Sequence, residues 1–396
     1  MNSRYLVSIV VPTHNRSSYA VPCIKSMLSM ISEEIQIVVH DTSNDSCDLK
    51  KWAAKQEDHR LKYVHWSGTL SMTENYERAL ALAEGEYISV IGDDDTVSEK
   101  VLEVAKYAKV NYINLITPKA NASYYWPDFR SRFYGNVHAG RIYIKDFDGH
   151  IEQRDCHEGL RKTLKMACQG TEHLPKLYHG LVSKKILDDL RLKNGKIFFG
   201  VSPDISSSIA LSLEGGHYHI VDYPFTLPGS AGGSNSGRSA QGKHKGDLSS
   251  DPHITPFKSL VWPSEIPKFF SVETVWSQAA WETLVGTGNN SWLDKTNLAR
   301  LYALCFIRHT SYYPYIIESW KMVRKNGGVE LTAILKELMV LIFEISRARL
   351  KRLMRPSASN GQNIVAIVDD VALARNEFDA YIASNYPNIN FTATAK

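Results

Sequence analysis

The stretch EGEYISVIGDDDTVSEK, residues 84–100, places three consecutive aspartates directly after a run of strand-forming residues. Adjacent carboxylates repel one another, and burying them costs free energy unless a cation, hydrogen bonds or water compensates. The pattern therefore allows three interpretations: a solvated helix start, a metal site, or an acid and base pair. The surrounding sequence has to distinguish among them.

The overall composition is that of a globular protein with more than one domain. A length of 396 residues exceeds one ordinary hydrophobic core, so we expect two or three domains. The formal net charge of +4 is small for this length, which argues against a nucleic-acid partner. The cysteines show no CxxC spacing, so neither a zinc ribbon nor a disulfide framework is predicted, and a reducing compartment fits.

The N-terminal stretch MNSRYLVSIVVP, residues 1–12, enters a strand pattern at once and lacks the pattern of a signal peptide. No run in the sequence approaches the roughly 20 apolar residues that a membrane-spanning helix needs. We therefore expect a cytoplasmic protein, either soluble or peripheral on the cytoplasmic face of the membrane.

Short β-branched runs alternate with helix-length amphipathic segments over residues 1–118. This alternation predicts an α/β fold with right-handed βαβ units and a mostly parallel sheet, which binds ligands beyond the carboxyl ends of its strands. Polar residues fall at those ends: 14–16 after the first strand, Asp41 after the second and Asp93 to Asp95 after the fourth. The predicted strands are residues 7–12, 35–40, 61–66, 87–92 and 114–117.

Three further regions follow the first half of this domain. Residues 119–228 are less regular. Residues 229–252 are rich in glycine and serine and carry Arg238 and Lys243, which predicts a flexible loop or lid rather than a packed element. Residues 253–396 largely lose the strand pattern and predict a helical C-terminal extension.

The aspartate cluster has two competing explanations. Mg2+ and Mn2+ take oxygen ligands and bind through one or two carboxylates plus phosphates, so the cluster could supply half of such a site. Alternatively, the acids lie beside the N-terminus of the helix that follows Ser98, where the helix dipole favours negative charge. The position at the end of a parallel strand favours the metal.

Asp41 ends the second strand and could accept a hydrogen bond from a nucleotide base or ribose, or could form an Asx-turn. The glycine fingerprint of dinucleotide folds and the phosphate-binding loop of NTPases are both absent. A bound diphosphate would then be held by a metal and by cations from elsewhere. Arg238 and Lys243 are candidates, with a disordered linker as the alternative.

Three motifs in order, VSIVVPTHNR, VVHDTS and NYERALALAEGEYISVIGDDD, resemble the first hundred residues of family 2 glycosyltransferases with the GT-A fold. The resemblance is good over residues 7–102 and fades in the C-terminal third. It implies a Rossmann-like, mostly parallel sheet flanked by helices, and an enzyme that transfers a sugar from a nucleotide sugar, commonly a UDP-sugar. By this resemblance residues 1–118 would be the nucleotide-sugar-binding half and residues 119–228 the acceptor-binding half. The donor-binding positions that it implies are Pro12, Thr13, Asn15, Arg16, Asp41, Asn75 and Asp93.

The resemblance also implies a metal site, in which Asp94 and Asp95 would bind Mn2+ or Mg2+. The family's usual Asp-x-Asp-Asp motif aligns with residues 92–95, so Gly92 replaces its first aspartate. That register makes Asp94 the metal ligand, whereas a shift by one makes Asp93 and Asp95 the pair. A second departure is Glu74, where many relatives carry arginine.

Inverting members of the family use a carboxylate to deprotonate the acceptor hydroxyl. The matching position in SPDISSS is Asp204, with Pro203 in place of the usual glutamate. The alternative for Asp204 is a plain helix N-cap, since caps favour aspartate. His179 and Trp126 could line the acceptor site, although a lone histidine is more often structural and a tryptophan more often belongs to the core.

The segment LTAILKELMVLIFEISRARLKRLMR, residues 331–355, ends in five cations behind an apolar run. Such basic amphipathic helices can lie on anionic membranes, which would suit a lipid-linked acceptor. The alternative is a helix packed on the protein body with a solvated basic end.

Together these features predict a metal-dependent inverting glycosyltransferase that acts on a saccharide or lipid-linked acceptor in surface polysaccharide synthesis, for example of O-antigen. A sugar-phosphate nucleotidyltransferase would share the nucleotide half, but VPTHNRSS lacks the glycine-rich loop of that class. A non-catalytic sugar-binding or scaffold protein is the second alternative, because Glu74, Gly92 and Pro203 replace functional residues of the relatives.

Overall fold

The computed structural model describes residues 3–44, 48–119, 121–242, 244–354 and 359–393. Its centre is a nine-stranded mixed sheet with the strand order β17-β9-β11-β6-β10-β4-β1-β2-β3. The strands of this sheet are β1 (Val7–Thr13), β2 (Ile35–Asp41), β3 (Leu61–His65), β4 (Tyr87–Val90), β6 (Leu115–Pro118), β9 (His150–Asp155), β10 (Leu181–Ser183), β11 (His217–Val221) and β17 (Thr392–Ala393).

Parallel pairs dominate this sheet. Five of its eight strand pairs are parallel, and the antiparallel pairs all involve β9 or β10. The register places Thr13 opposite Asp41, so β1 and β2 end at the same edge. Strand β1 is buried on both faces: Ile9 packs in one hydrophobic core and Val10 in another, as expected for the centre of a parallel sheet.

Helices cover both faces of the sheet and form a separate C-terminal layer. The predicted α/β class, with a mostly parallel sheet and a helical C-terminal portion, is confirmed. The helices are α1 (Ser17–Leu28), α2 (Asp48–Ala53), α3 (Met72–Leu80), α4 (Val101–Val110), α5 (Cys156–Lys165), α6 (Lys184–Asn194), α7 (Pro203–Leu213), α8 (Asn235–Ala240), α9 (Val272–Gly286), α10 (Leu298–Arg308), α11 (Tyr313–Lys325), α12 (Leu331–Met354) and α13 (Val371–Asn385).

Helix α3 begins with a capping box that includes Glu74, the position where the resemblance implies arginine. Its carboxylate accepts from the backbone amide and the hydroxyl of Ser71, both at 2.8 Å, while the Ser71 hydroxyl accepts from the Glu74 amide. This reciprocal capping box satisfies two amides at the helix start. Glu74 therefore has a local structural role in this chain.

A second, four-stranded sheet has the order β13-β7-β8-β16, and two small strand pairs join β12 to β5 and β14 to β15. The remaining strands are β5 (Thr96–Val97), β7 (Ala122–Tyr125), β8 (Arg141–Ile144), β12 (Thr226–Leu227), β13 (Gly229–Ser230), β14 (Lys245–Gly246), β15 (Phe270–Ser271) and β16 (Asn363–Ile367).

The helices from α10 to α12 share a hydrophobic core in which Leu301, Tyr302, Ile316 and Ile334 are buried. The chain then returns to the α/β part, because β16 pairs with β8, α13 packs on α1, and β17 pairs with β9. Buried Arg375 of α13 donates to the Ser26 carbonyl oxygen at 3.0 Å. Residues 363–393 thus differ from the predicted division, in which the helical extension continues to residue 396.

No helix in the described part of the chain is both long and apolar enough to cross a membrane.

Candidate functional site

The three aspartates follow β4 and are buried, with Asp93, Asp94 and Asp95 only 2–6% exposed. Helix α4 begins several residues later, at Val101. The cluster is therefore not a solvated helix start. Its charges have to be compensated inside the protein or by a ligand.

Asp93 is held by two side chains from the end of β1 and the turn that follows it. The Thr13 hydroxyl donates to one carboxylate oxygen at 2.5 Å, and the Arg16 Nε donates to the other at 2.6 Å. Burial would lower the pKa of Arg16, but Asp93 and Asp94 raise it well above its usual range. Arg16 therefore stays protonated and supplies the positive charge nearest to the cluster.

Asp94 is compensated less completely. Its Oδ2 accepts from the Ala231 amide at 3.1 Å and lies 3.2 Å from the Arg16 Nη2, while its backbone oxygen accepts from the Trp126 Nε1 at 2.9 Å. No described residue donates to Oδ1. Burial, together with the neighbouring Asp95, raises the pKa of Asp94 to about 8, with Arg16 opposing. Asp94 thus lacks a full charge partner within the protein.

Asp95, by contrast, is fully engaged. The Gly229 amide donates to Oδ1 at 2.6 Å, and Oδ2 accepts from the Gly92 amide at 2.6 Å and the Tyr178 hydroxyl at 2.9 Å. The His179 Nε2 lies 3.2 Å from the same oxygen. Burial alone would raise the pKa of Asp95, but His179 and these amides hold it below its usual value. Asp95 is built to remain an anion without a metal.

Packing favours glycine at position 92, where the resemblance implies an aspartate. A Cβ at this position would lie 2.7 Å from the Tyr178 hydroxyl and 3.0 Å from carboxylate oxygens of Asp94 and Asp95. There is no room for a side chain, and a fourth carboxylate would add repulsion to the cluster.

Asp94 Oδ1 is the position that best suits a cation. Mg2+ and Mn2+ often bind through one or two carboxylates and complete their shell with substrate phosphates and water. Within the described ranges, no group of three or more His, Cys, Asp or Glu side chains is arranged to hold a metal by itself. The residues therefore fit a metal that is shared with a phosphate ligand, with Asp94 as its protein ligand.

A cavity of about 180 Å3 lies beside the cluster, and Asp204 lines it. Asp204 is in the first turn of α7, whose N-cap is Ser202, so it is not the helix N-cap. Burial raises the pKa of Asp204 to about 6, partly countered by His179. A carboxylate with this pKa is ionised near neutral pH and basic enough to accept a proton. The residues that line the cavity are Pro118, Thr171, Lys176, Tyr178, His179, Asp204, Ser208, Thr226 and Pro228.

His179 connects the cavity to the aspartates. It lines the cavity with Asp204, and its Nε2 lies against Asp95. Its backbone has a φ of 64°, a left-handed conformation that is uncommon outside glycine, and its Nδ1 is buried without a described partner. Two predicted groups that are far apart in sequence therefore meet in one site.

The predicted base-binding residue Asp41 is fully buried. Its two oxygens accept from the Ser43 amide and the Tyr63 hydroxyl, both at 2.8 Å. In this structure Asp41 shapes the turn after β2. Sequence reasoning missed Tyr63, although the alternation in β3 places it on the same face of the sheet as Asp41, opposite Val39.

Other predicted donor-binding residues surround the end of β1. Pro12 is buried in the strand, and exposed Asn15 adopts a φ of 54°, with its amide donating to the Ser43 hydroxyl. Buried Asn75 donates to the Thr13 carbonyl oxygen at 3.2 Å and bonds His40 at 2.7 Å. Asn75 thus supports the strand end from behind.

The glycine-rich segment is packed against the aspartates rather than standing free. A Cβ on Gly229 would lie only 1.8 Å from the Asp94 carbonyl oxygen, so glycine allows the close approach of backbone to backbone. The composition of the segment indicates flexibility. It cannot show that the Gly229 and Ala231 amides donate to the carboxylates of Asp95 and Asp94. Whether the segment opens as a lid stays a prediction.

Three predicted acceptor or lid residues lie as follows. The Trp126 ring is buried in the hydrophobic core and packs edge-on to Tyr19. Arg238 is 3.1 Å from an Asp251 carboxylate oxygen. Lys243 lies outside the described residues.

The part of the chain that contains these motifs also matches known proteins. A family model described as glycosyl transferase family 2 matches residues 8–151. Glycosyltransferase GlyG of Streptococcus pneumoniae is 29% identical over 103 residues, which are 25% of this chain and 33% of that protein. The putative colanic acid biosynthesis glycosyl transferase WcaA of Escherichia coli is 34% identical over 105 residues, which are 26% of this chain and 38% of that protein.

The match thus spans only 33–38% of the length of these two relatives. Among solved structures, Staphylococcus aureus TarS 1-349 in complex with UDP-GlcNAc aligns with a TM-score of 0.42 at 14% identity, over 79% of this chain and 73% of that chain. The family model and both relatives match in sequence, and the chain is therefore similar to glycosyl transferase family 2 over residues 8–151.

Proposed function

We propose that this chain is a metal-dependent, inverting glycosyltransferase of the cytoplasm. It would move a hexosyl or N-acetylhexosaminyl group from a nucleoside diphosphate sugar, with UDP-sugars as the first class to test, to a saccharide or lipid-linked acceptor. Surface polysaccharide synthesis is the proposed setting, supported by the colanic acid pathway in the name of one relative.

One observation carries this proposal. A carboxylate of raised pKa, Asp204, faces the same cavity as His179, which touches the aspartate cluster at the end of β4. A transferase needs two functions side by side. One is a base for the acceptor hydroxyl, and the other is positive charge that stabilises the departing diphosphate.

The chain's own residues would act as follows. Asp204 would accept the proton of the acceptor hydroxyl as its oxygen bonds to the anomeric carbon and the bond from that carbon to the nucleoside diphosphate breaks. Asp94, through Oδ1, would hold Mn2+ or Mg2+, which when bound neutralises diphosphate charge. Arg16 would hold Asp93 and Asp94 in place and add a second positive charge. Asp95 we assign to positioning, because both of its carboxylate oxygens accept hydrogen bonds from the protein.

The proposed inversion follows from the resemblance to inverting family members. A direct displacement requires the base on the face of the sugar opposite the leaving group. Asp204 on α7 and Asp94 after β4 come from different elements, which is compatible with such an arrangement.

A non-catalytic sugar-binding or scaffold role is the second candidate, and one observation favours it. Asp41, Asp93 and Asp95 have protein donors on both carboxylate oxygens, so much of the acidic network is stable without a ligand. Asp94 Oδ1 accepts from no described residue, and this exception favours the enzymatic role.

Release of nucleoside diphosphate from a panel of nucleotide sugars tests the two candidates. We expect slow hydrolysis of one donor class without acceptor, faster release with acceptor, and loss of the acceptor-dependent part in D204N. D189N, which changes an exposed aspartate on α6, is the matched control. Binding of a nucleotide sugar without release by wild type, with or without a panel of acceptors, would favour the non-catalytic role.

A further inference from the structure

Helix α12 buries only a narrow stripe on the helical layer. Ile334 and Leu341 are buried and belong to the core shared with α10. The two acids of the helix pair with Arg300 on α10: Glu337 lies 3.2 Å and Glu344 lies 2.6 Å from its nitrogens. Both negative charges of α12 are therefore paired with α10.

The outer side of the same helix is apolar and exposed. At 3.6 residues per turn, six large apolar side chains fall within an arc of about 100°, and their separate surfaces join into one stripe. A contiguous exposed apolar stripe on a soluble protein marks a contact site. These outer-face residues are 49–76% exposed: Leu335, Met339, Ile342, Phe343, Leu350 and Leu353.

Cations border this stripe on both sides. Lys336 and Arg347 fall at one edge and Arg349 at the other, and all three are exposed. Because Glu337 and Glu344 are turned toward Arg300, no acid of α12 shares the outer face. The outer face therefore combines exposed apolar surface with positive charge alone.

A neighbouring loop extends this surface. Arg352, near the end of α12, donates through Nε to the Tyr134 hydroxyl at 2.9 Å. The preceding residue, Phe133, is 87% exposed, and Arg132 beside it is also exposed. An exposed aromatic ring next to an arginine thus lies close to the basic end of the helix.

We propose that the outer face of α12, together with Phe133, docks on an anionic membrane surface. An amphipathic helix parallel to the membrane buries its apolar side at the boundary of headgroups and acyl chains, while its cations meet lipid phosphates. From Leu335 to Leu353 the stripe is about 27 Å long, enough for several lipid headgroups. A second copy of this chain fits the face less well, since it would bring the same cations and no acid on this face to pair with them.

Co-sedimentation of the full-length protein with vesicles tests the proposal. We expect binding to vesicles of phosphatidylglycerol and phosphatidylcholine in equal parts, weaker binding at high salt, and much weaker binding to phosphatidylcholine alone. Donor and acceptor are left out, so a failure of the proposed sugar transfer does not affect this result.

Two variants separate the contributions of charge and apolar contact. R347Q/R349Q is expected to weaken binding roughly thirtyfold, at about fivefold per cation, and I342S/F343S roughly tenfold or more. K25Q/K185Q, which removes two exposed cations on α1 and α6, is the matched control and should bind like wild type. Because all these side chains are exposed, circular dichroism and melting should show folded proteins.

Equal binding by wild type and both α12 variants, or no binding of wild type to anionic vesicles, would overturn the proposal. So would light scattering that shows a wild-type dimer and a monomeric I342S/F343S, because the apolar face would then belong to a second copy.

Discussion

The raised pKa of Asp94 makes a direct prediction about stability. Burial with Asp95 as neighbour shifts this pKa from the ordinary 3.8 to about 8. A buried acid with a raised pKa favours folding while it is protonated, so its contribution is greatest below pH 3.8 and falls until the pH passes about 8. Each pH unit in that window costs about 1.4 kcal/mol.

Replacing Asp94 with asparagine removes this titration and keeps the shape of the side chain. Between about pH 6 and about pH 9, the free energy of unfolding of D94N should therefore rise by about 3 kcal/mol relative to that of wild type. Denaturant unfolding across this range, without divalent cations, measures the difference. D189N, at an exposed position on α6, should parallel wild type.

A divalent cation should reverse this difference in stability between D94N and wild type. Because the metal binds the ionised carboxylate, added Mn2+ should stabilise wild type increasingly as the pH rises, and should have little effect on D94N. Parallel unfolding profiles for wild type and D94N in the absence of metal would refute the reasoning, since they would show that Asp94 is already ionised and compensated in the folded protein.

Three further predictions concern the base, Gly92 and Asp41. D204N should lower sugar transfer by at least about a hundredfold while donor binding persists, and the wild-type rate should rise with pH up to about 6 as Asp204 loses its proton; a pH-independent rate in this range would contradict the assignment. G92A should cost about 1–3 kcal/mol of stability, because its Cβ meets the Tyr178 hydroxyl. G92D should cost more and should not increase activity, which thermal melting and transfer assays check together; a stable, more active G92D would show that the missing aspartate is a lost ligand. Y63F should cost about 2 kcal/mol, because buried Asp41 loses a hydroxyl donor, and unchanged denaturant stability would show that water replaces it.

The first half of the α/β domain could be predicted from the sequence because its strands and helices are local patterns. Strands β1 to β4 fall within a few residues of their predicted positions, and the polar residues after them meet at one edge. Strand β10 is only three residues long and lies between β4 and β6, antiparallel to both. Such a pairing depends on distant partners and leaves no periodicity to detect.

The candidate site divides in the same way. The three aspartates and Asp204 could be proposed from sequence because carboxylates at strand and helix ends are visible there. The hydrogen bonds that compensate the aspartate charges could not be predicted, since their donors, the amides of Gly229 and Ala231, are more than a hundred residues away. The burial that raises the pKa of Asp94 is likewise a property of the fold alone.

Thermal melting against a panel of nucleoside diphosphates, with Mn2+ and with EDTA, tests the central claim that Asp94 and its neighbours form a metal-linked diphosphate site. A ligand that binds the folded state raises the midpoint by mass action. We predict that one nucleoside diphosphate, with UDP as the first candidate, stabilises wild type only with the metal and does not stabilise D94N. An equal shift in EDTA or in D94N, or no shift with any nucleotide, would contradict the claim.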